Sequence, residues 1–461
     1  MTNGFRTEQD SMGSVKVPVD ALYGSQTQRA LNNFPVSGMG MPRRFIEALV
    51  LVKKAAAKAN SELGAIDSKI GEAIVSACEQ LLGDPLLLDH FPVDVFQTGS
   101  GTSTNMNANE VIATLANKGT EVTIHPNDHV NYGQSSNDVI PTTIHVSASK
   151  EVIENLLPAL DALINVIDVK AATLTHMCKT GRTHLMDAMP ITLSQSLSGW
   201  SSQLRQQQRL LTQFIPVITA IAQGGTAVGT GINAPAGFAS AFSRQLSTLT
   251  GISFSPADNF FSHIASQDSA VSLSGLVKSL AVTLMKIAND LRWMNSGPLS
   301  GLGEIALPAV QPGSSIMPGK VNPVIPESVA MAAAQVIGND AAITVGGQSG
   351  NFELNVMLPM IANNLLQSIT LMANSMKILG DSAIKDFVVQ EGVLENALRK
   401  NPILVTALNP IIGYARAAEI AKKAYKEARS VIDVASEMTD IPRDELVQLL
   451  DPVKLAMNNA E

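Results

Sequence analysis

The stretch that most constrains this chain is an apolar seam: Leu273, Leu276, Leu280, Leu284, Ile287, Leu291 and Met294 recur by threes and fours. That spacing lines one face of a long helix and suits near-parallel packing against other long helices. Four more stretches keep a helical period. The first carries Ile153, Leu156, Leu157, Leu160, Ile164, Ile167, Ala171 and Leu174, and Pro158 inside it predicts a kink. The second carries Leu193, Leu197, Trp200, Leu204 and Leu211. Another spans residues 328–343, and the last carries Ile361, Leu365, Ile369, Met372, Met376 and Leu379. Five long helices close into a bundle. The expected fold is mainly α, with three helical domains: a mixed N-terminal domain over 1–134, a central five-helix bundle over 135–388, and a small helical domain over 389–461.

Composition adds a second constraint. Of 461 residues, 45% are hydrophobic and only 16% charged, against about 25% charged in ordinary soluble domains. Helices apolar on more than one face must bury that surface. A large subunit interface does so, and an obligate oligomer is expected; a single large core is the competing explanation. The formal net charge of −8 and the lack of a basic-aromatic patch argue against nucleic acid. Met1–Asp10 is polar, with no apolar signal core. Cys78 and Cys178 make neither a disulfide framework nor a zinc spacing, so a reducing cytoplasm is the expected compartment. No charged residue lies between Arg209 and Arg244, but Gln213, Pro216, Gln223, Asn233, Pro235 and several glycines interrupt that run. It reads as a helix end followed by a buried glycine-rich turn, not as a membrane span.

Several polar segments are candidates for chemistry. Gly313-Ser314-Ser315-Ile316-Met317-Pro318-Gly319-Lys320-Val321-Asn322-Pro323 is neither a good helix nor a good strand, and brings a base, a cation and an amide into one loop. Gly181-Arg182-Thr183-His184 reads as a helix end running into a loop, with Arg182 a possible clamp. Ser100-Gly101-Thr102 and Ser135-Ser136-Asn137 on their own are ordinary turns or helix caps. His125 and His129 are four apart, but Pro126-Asn127-Asp128 makes a turn there, so metal is not expected; the turn's amides and His125 are candidates for a weak anion site. Glu327 opens a helix, where a carboxylate is favourable, or alternatively polarises a histidine. The glycine run Gly224–Gly231 lacks the ending of a phosphate loop and reads as close backbone packing.

Taken together, these segments resemble the fumarase/aspartase superfamily. Gly313–Pro323 is similar to its signature loop, and Gln97–Asn107, His125–Asp128, Gln134–Asp138 and Gly181–His184 match its other site segments in order. The resemblance continues through Met285–Pro298, Gly346–Val356 and Val405–Lys422 and so covers most of the chain. Within the superfamily, His184, Gly350–Asn355 and Thr406–Asn409 resemble the class II fumarases; aspartate ammonia-lyases typically carry Gln in place of His184. Two segments depart: Val324-Ile325-Pro326-Glu327 is closer to aspartate ammonia-lyase wording, and Tyr132-Gly133 stands where many fumarases have Lys-Ser.

The resemblance implies a hydro-lyase of the tricarboxylic acid cycle that hydrates fumarate to L-malate reversibly, by carbon-proton abstraction through an aci-carboxylate; aspartate ammonia-lyase is the alternative. Ser314 is then the carbon base, with Lys320 and Asn322 stabilising the added charge, and His184, paired with Glu327, the acid. Ser100, Gly101, Thr102, Ser135, Ser136, Asn137, Thr183, Ser315, Lys320, Val321 and Asn322 would hold the substrate, and His125, Pro126, Asn127 and Asp128 a second anion. The family pattern further implies no metal or organic cofactor, no nucleic-acid or membrane partner, and a homotetramer whose central helices merge into one larger bundle, each site drawing on three subunits. A scaffolding protein descended from such an enzyme is the reading from another class, against which Ser314, Lys320, Asn322 and His184 stand intact.

Overall fold

The seam over Leu273–Met294 lies within one helix, Asp268–Met294, which buries Leu273, Leu280, Leu284, Ile287, Leu291 and Met294. Leu276 is only half-buried, and Val277 takes the buried place beside it. The structure, a computed structural model, describes residues 4–457; the first residues of the polar N-terminal segment lie outside it. The other long helices are Leu157–Ala172, Leu193–Ile218, Val324–Gly347 and Leu358–Leu379, so all five periodic stretches are helical. Strands among the described residues occur only in two-stranded pieces. The architecture is mainly α, as the periodicity requires.

The chain divides into two compact units. One holds Met1–Pro158, Arg209–Ala281 and Ala333–Ala373; the other holds Ala159–Gln208, Val282–Ala332 and Asn374–Glu461. The first unit contains helices Arg43–Glu62, Ser68–Leu82 and Thr102–Lys118. A hairpin of Phe5–Asp10 and Gly13–Pro18 precedes them, built on alternating exposure. Helix Ser136–Glu151 begins at the Ser135-Ser136-Asn137 segment, with Ser135 as its cap. It runs through a π turn at Val152–Leu156. Pro158 has no N–H to give, and the widened turn just ahead of it interrupts the ordinary ladder.

In the second unit, residues after Leu404 form their own apolar cluster around Leu408, Ile420, Val434 and Leu446. Helix Asp268–Met294 and helix Val324–Gly347 are long and apolar enough to cross a bilayer. Yet Lys278 and Ser274 of the one meet Asp340 of the other at 2.6 and 2.7 Å, the pairing of helices that face protein.

Candidate active site

The loop Gly313–Pro323 is held by its own atoms. Lys320 Nζ donates to Asn322 Oδ1 at 2.7 Å, and Asn322 Nδ2 donates to the Gly313 carbonyl at 2.5 Å. Gly313 is required there, since a Cβ on it would sit 2.0 Å from the Lys320 carbonyl oxygen. Ser314 Oγ accepts the backbone N–H groups of Ile316 and Met317 at 3.3 and 3.1 Å. Backbone N–H donors on a hydroxyl oxygen stabilise negative charge on it. Ser315, Ile316, Met317 and Val321 are exposed. Beside the loop opens a cavity of about 1060 Å³ lined by Lys320, Val321, Asn322, Glu327, Arg292 and Trp293. Glu327 lies in the first turn of helix Val324–Gly347.

Thr183 and His184 are not at a helix end. Strands Cys178–Thr183 and Met186–Thr192 form an antiparallel hairpin, and His184 and Leu185 make its tip with φ of 54° and 60°. Two successive left-handed residues are the backbone of the hairpin turn whose twist matches its strands. The correction has a physical reason: Thr180, Thr183, Ile191 and Thr192 favour strands, while the tip lacks the Asn-Gly that ordinarily announces such a turn. Arg182 is not free to clamp a substrate, because its Nη2 meets Glu304 Oε1 at 2.7 Å while Lys179 Nζ meets Oε2 at 2.6 Å. Glu304 is 2% exposed. Burial lowers the Lys179 pKa, against the opposing charge and hydrogen bond of Glu304. The hairpin is also held through Ala188, whose carbonyl accepts Asn401 Nδ2 at 2.9 Å. Its tip is bare: Leu185 is 68% and Met186 69% exposed. Within one chain no hydrogen bond or ion pair among the described residues joins His184 to Glu327.

The remaining segments lie in the first unit. Gly101, at φ 72°, caps helix Thr102–Lys118, and a Cβ there would sit 2.9 Å from Ile140. Ser100 and Thr102 hydroxyls are 2.8 Å apart. Ser135 caps helix Ser136–Glu151: its Oγ accepts from Asn137 N at 3.2 Å, and Asp138 accepts the Ser135 N–H at 2.9 Å. Asn137 Nδ2 donates to the Ala227 carbonyl at 2.8 Å. Asp138 also accepts Gln223 Nε2, Gly224 N and Thr226 N. The buried start of the glycine run, Gly224–Thr226, is therefore a backbone cradle for Asp138, whose pKa burial pushes up to about 6 against these donors. Behind the turn, Lys53 is 0% exposed and donates to Asn131 Oδ1 at 2.9 Å and Gln134 Oε1 at 3.0 Å.

Lys53, Asn105, Asn131 and Glu304 escaped the sequence reading as site-supporting residues. A signal for Lys53 existed: it shares a helical stripe with Leu49, Ala56 and Asn60, all buried. The turn at His125 is folded on itself. His125 Nδ1 accepts the N–H groups of Asn127 and Asp128 at 3.3 Å each, following Pro126. The adjoining cavity of about 720 Å³ is lined by Glu8, Asp10 and Glu110 as well as Arg29 and His125. Arg29 is committed to Asp10 at 2.7 Å, so the wall leans acidic. No three His, Cys, Asp or Glu side chains cluster as metal ligands among the described residues.

Residues 13–338 match the Lyase family model, and residues 404–457 match the model for the fumarase C C-terminus. The chain is 63% identical over 450 residues to "Fumarate hydratase class II 2" of Pseudomonas aeruginosa, covering 98% of both chains. It is 56% identical over 451 residues to fumarate hydratase class II of Xylella fastidiosa strain 9a5c, covering 98% of this chain and 95% of that one. The crystal structure of class II fumarase from Schistosoma mansoni superposes with a TM-score of 0.96 at 38% identity, covering 99% of this chain and 100% of that one. These relatives do not favour the aspartate ammonia-lyase alternative. The chain belongs to the fumarase/aspartase superfamily and, within it, to the class II fumarases.

Proposed function

We propose that this chain is a fumarate hydratase, a hydro-lyase interconverting fumarate and L-malate, in which the loop Gly313–Pro323 carries the chemistry. The observation that carries the reading is Ser314 Oγ receiving two backbone N–H groups within four residues of loop. In the dehydration direction the Ser314 oxygen, as the alkoxide that these two N–H groups stabilise, takes the proton from the carbon beside a carboxylate and becomes the neutral hydroxyl. The C–H electron pair moves into that carboxylate, giving an aci-form that carries an extra negative charge. Lys320 has three donors and spends one on Asn322. Its remaining donors and the second N–H of Asn322 Nδ2 meet the added charge. Loss of the C–O bond then returns the electron pair to form the double bond, and the hydroxyl leaves as water after receiving a proton from His184.

Ser100, Thr102, Ser135, Ser136, Asn137, Thr183 and Ser315 bind the two carboxylates, Gly101 shapes the first turn and Val321 sits beside the loop cation. Such polar groups reject analogues that leave them unpaired. Glu327 orients His184 across a subunit contact, and the complete centre forms in a homotetramer. What supports assembly is the exposure of Leu185, Met186, Ile316 and Met317 around the groups assigned to chemistry. The enzyme acts in the cytoplasm, within the tricarboxylic acid cycle, and takes neither nucleic acid nor membrane as partner. His125–Asp128 is retained as a weak second anion site, with the acidic wall beside it opposing tight binding.

The test is ultraviolet detection of fumarate formed from L-malate with excess chelator present and L-aspartate in parallel. Malate turnover that survives chelation and falls about 100- to 1,000-fold in Ser314→Ala supports the reading. Equal rates for wild type and Ser314→Ala would remove Ser314 as the base, and turnover of aspartate alone would overturn the assignment.

A further inference from the structure

We infer that Lys53 is a positioning residue that sets the direction of the Ser136 hydroxyl, so that its proton points out to a substrate carboxylate. The inference rests on the reading of Ser136 as a carboxylate-binding group. An ammonium has donors and no acceptor, and the neutral amine still has two N–H groups for two facing oxygens. Buried and facing Asn131 and Gln134, Lys53 therefore demands that both amides turn their oxygens toward it.

The outer ends of those amides agree. Asn131 Nδ2 donates to the Gln134 carbonyl at 3.2 Å, and Gln134 Nε2 donates to the carbonyls of Val130 and Tyr132 at 3.1 and 3.2 Å. Reversing either amide would set oxygen against carbonyl oxygen and N–H against the ammonium. Asn131 Oδ1 is thus an acceptor, and the group of Asn105 that meets it at 3.2 Å must be Nδ2. The same Nδ2 lies 3.2 Å from Ser136 Oγ. Ser136 is consequently the acceptor in that contact, and its one O–H remains to be donated elsewhere.

Asn105 Oδ1 is buried without a partner in this orientation, and the opposite orientation would set two acceptors face to face. Two groups therefore hold the polarity of the relay, the Lys53 ammonium inside and the Gln134 carbonyl outside. With a methionine at position 53, Asn131 is held by that carbonyl alone, and a joint reversal of Asn131 and Asn105 gives up that one bond while Ser136 donates inward to Asn105 Oδ1.

The test is a double-mutant cycle read in KM and kcat for fumarate and L-malate, with circular dichroism and sedimentation confirming fold and assembly. Lys53→Met and Ser136→Ala are each expected to raise KM about 10- to 100-fold, the weight of a hydrogen bond to a charged group, with kcat within about threefold. The double variant is expected to be no worse than Ser136→Ala alone, because Lys53 acts through that hydroxyl. KM effects that multiply in the double variant, or an unchanged KM in folded Lys53→Met, would overturn the inference while leaving Ser136 as a binding group. An unchanged KM in Ser136→Ala would overturn the binding assignment itself. Should Lys53→Met not fold, Asn131→Leu cuts the relay while Gln134 Oε1 still accepts from Lys53, and it enters the same cycle with the same expectations.

Discussion

Two regions treat the same kinds of polar residue in opposite ways. In the unit that begins the chain, the Ser135–Asn137 turn is tied from both sides, by Asp138 to the glycine run and through Asn105 and Asn131 to Lys53. In the unit that holds residues 282–332, Lys320 bonds only within its own loop, and His184 stands on a bare hairpin tip. Groups proposed to bind substrate are preorganised by buried networks, which removes the ordering cost at the moment of binding. Groups assigned to chemistry are left on exposed backbone, which suits loop closure and completion by another copy of the chain. The contrast predicts that substitutions in the two settings separate cleanly into stability effects and rate effects.

The hairpin bearing His184 divides this contrast within itself, since its stem is buried and its tip is not. Glu304→Leu leaves Lys179 and Arg182 without their shared carboxylate. Removing one partner of a buried pair costs about 3–5 kcal/mol, and the urea midpoint at fixed protein concentration should fall accordingly. An unchanged midpoint would mean that the stem is no more consolidated than the tip. Lys320→Met probes the other setting. Its side chain is exposed and its one bond lies within the loop, so stability should stay within about 0.5 kcal/mol. The rate should nonetheless fall about 100- to 1,000-fold. A large drop in stability with a small drop in kcat would reverse the comparison.

The five long helices were legible because each keeps an apolar period over several turns, and the family segments were legible because short polar runs keep their order along the chain. The hairpin at Cys178–Thr192 was not. Its tip uses His184 and Leu185 at positive φ, where local sequence gives no glycine to announce the turn, and tertiary bonds to Glu304 and Asn401 hold it. The relay behind Ser136 was hidden for a related reason. Lys53, Asn105 and Asn131 come from three separate segments, and hydrogen-bond direction exists only once they meet. A lysine on a buried stripe was the one trace of it in the sequence.

The buried side of the comparison has a pH signature. Burial lowers the Lys53 pKa from 10.5 to about 7, opposed first by the charge of Asp138. Between about pH 7 and 10.5 the unfolded chain binds the proton that the folded one has released. Stability therefore rises with pH above about 7, the reverse of a lysine stabilised by a partner. Over pH 7 to 9 the rise attributable to Lys53 is about 2–3 kcal/mol. The measurement is the wild-type stability profile minus that of Lys53→Met. A flat difference would mean that Lys53 is not desolvated.

The smallest effect lies at the exposed tip. A non-glycine residue in the left-handed region costs about 1–2 kcal/mol, and Leu185 holds φ 60° while 68% exposed. Leu185→Gly relieves the strain but loosens the unfolded chain, so a net gain of up to about 1 kcal/mol is expected in a protein diluted below assembly. If another copy covers the tip in the proposed homotetramer, the same change removes an apolar contact, and the gain should shrink or change sign as protein concentration rises. Equal effects at all concentrations would show that Leu185 meets no partner, and the bare tip would then owe its leucine to nothing in the assembly.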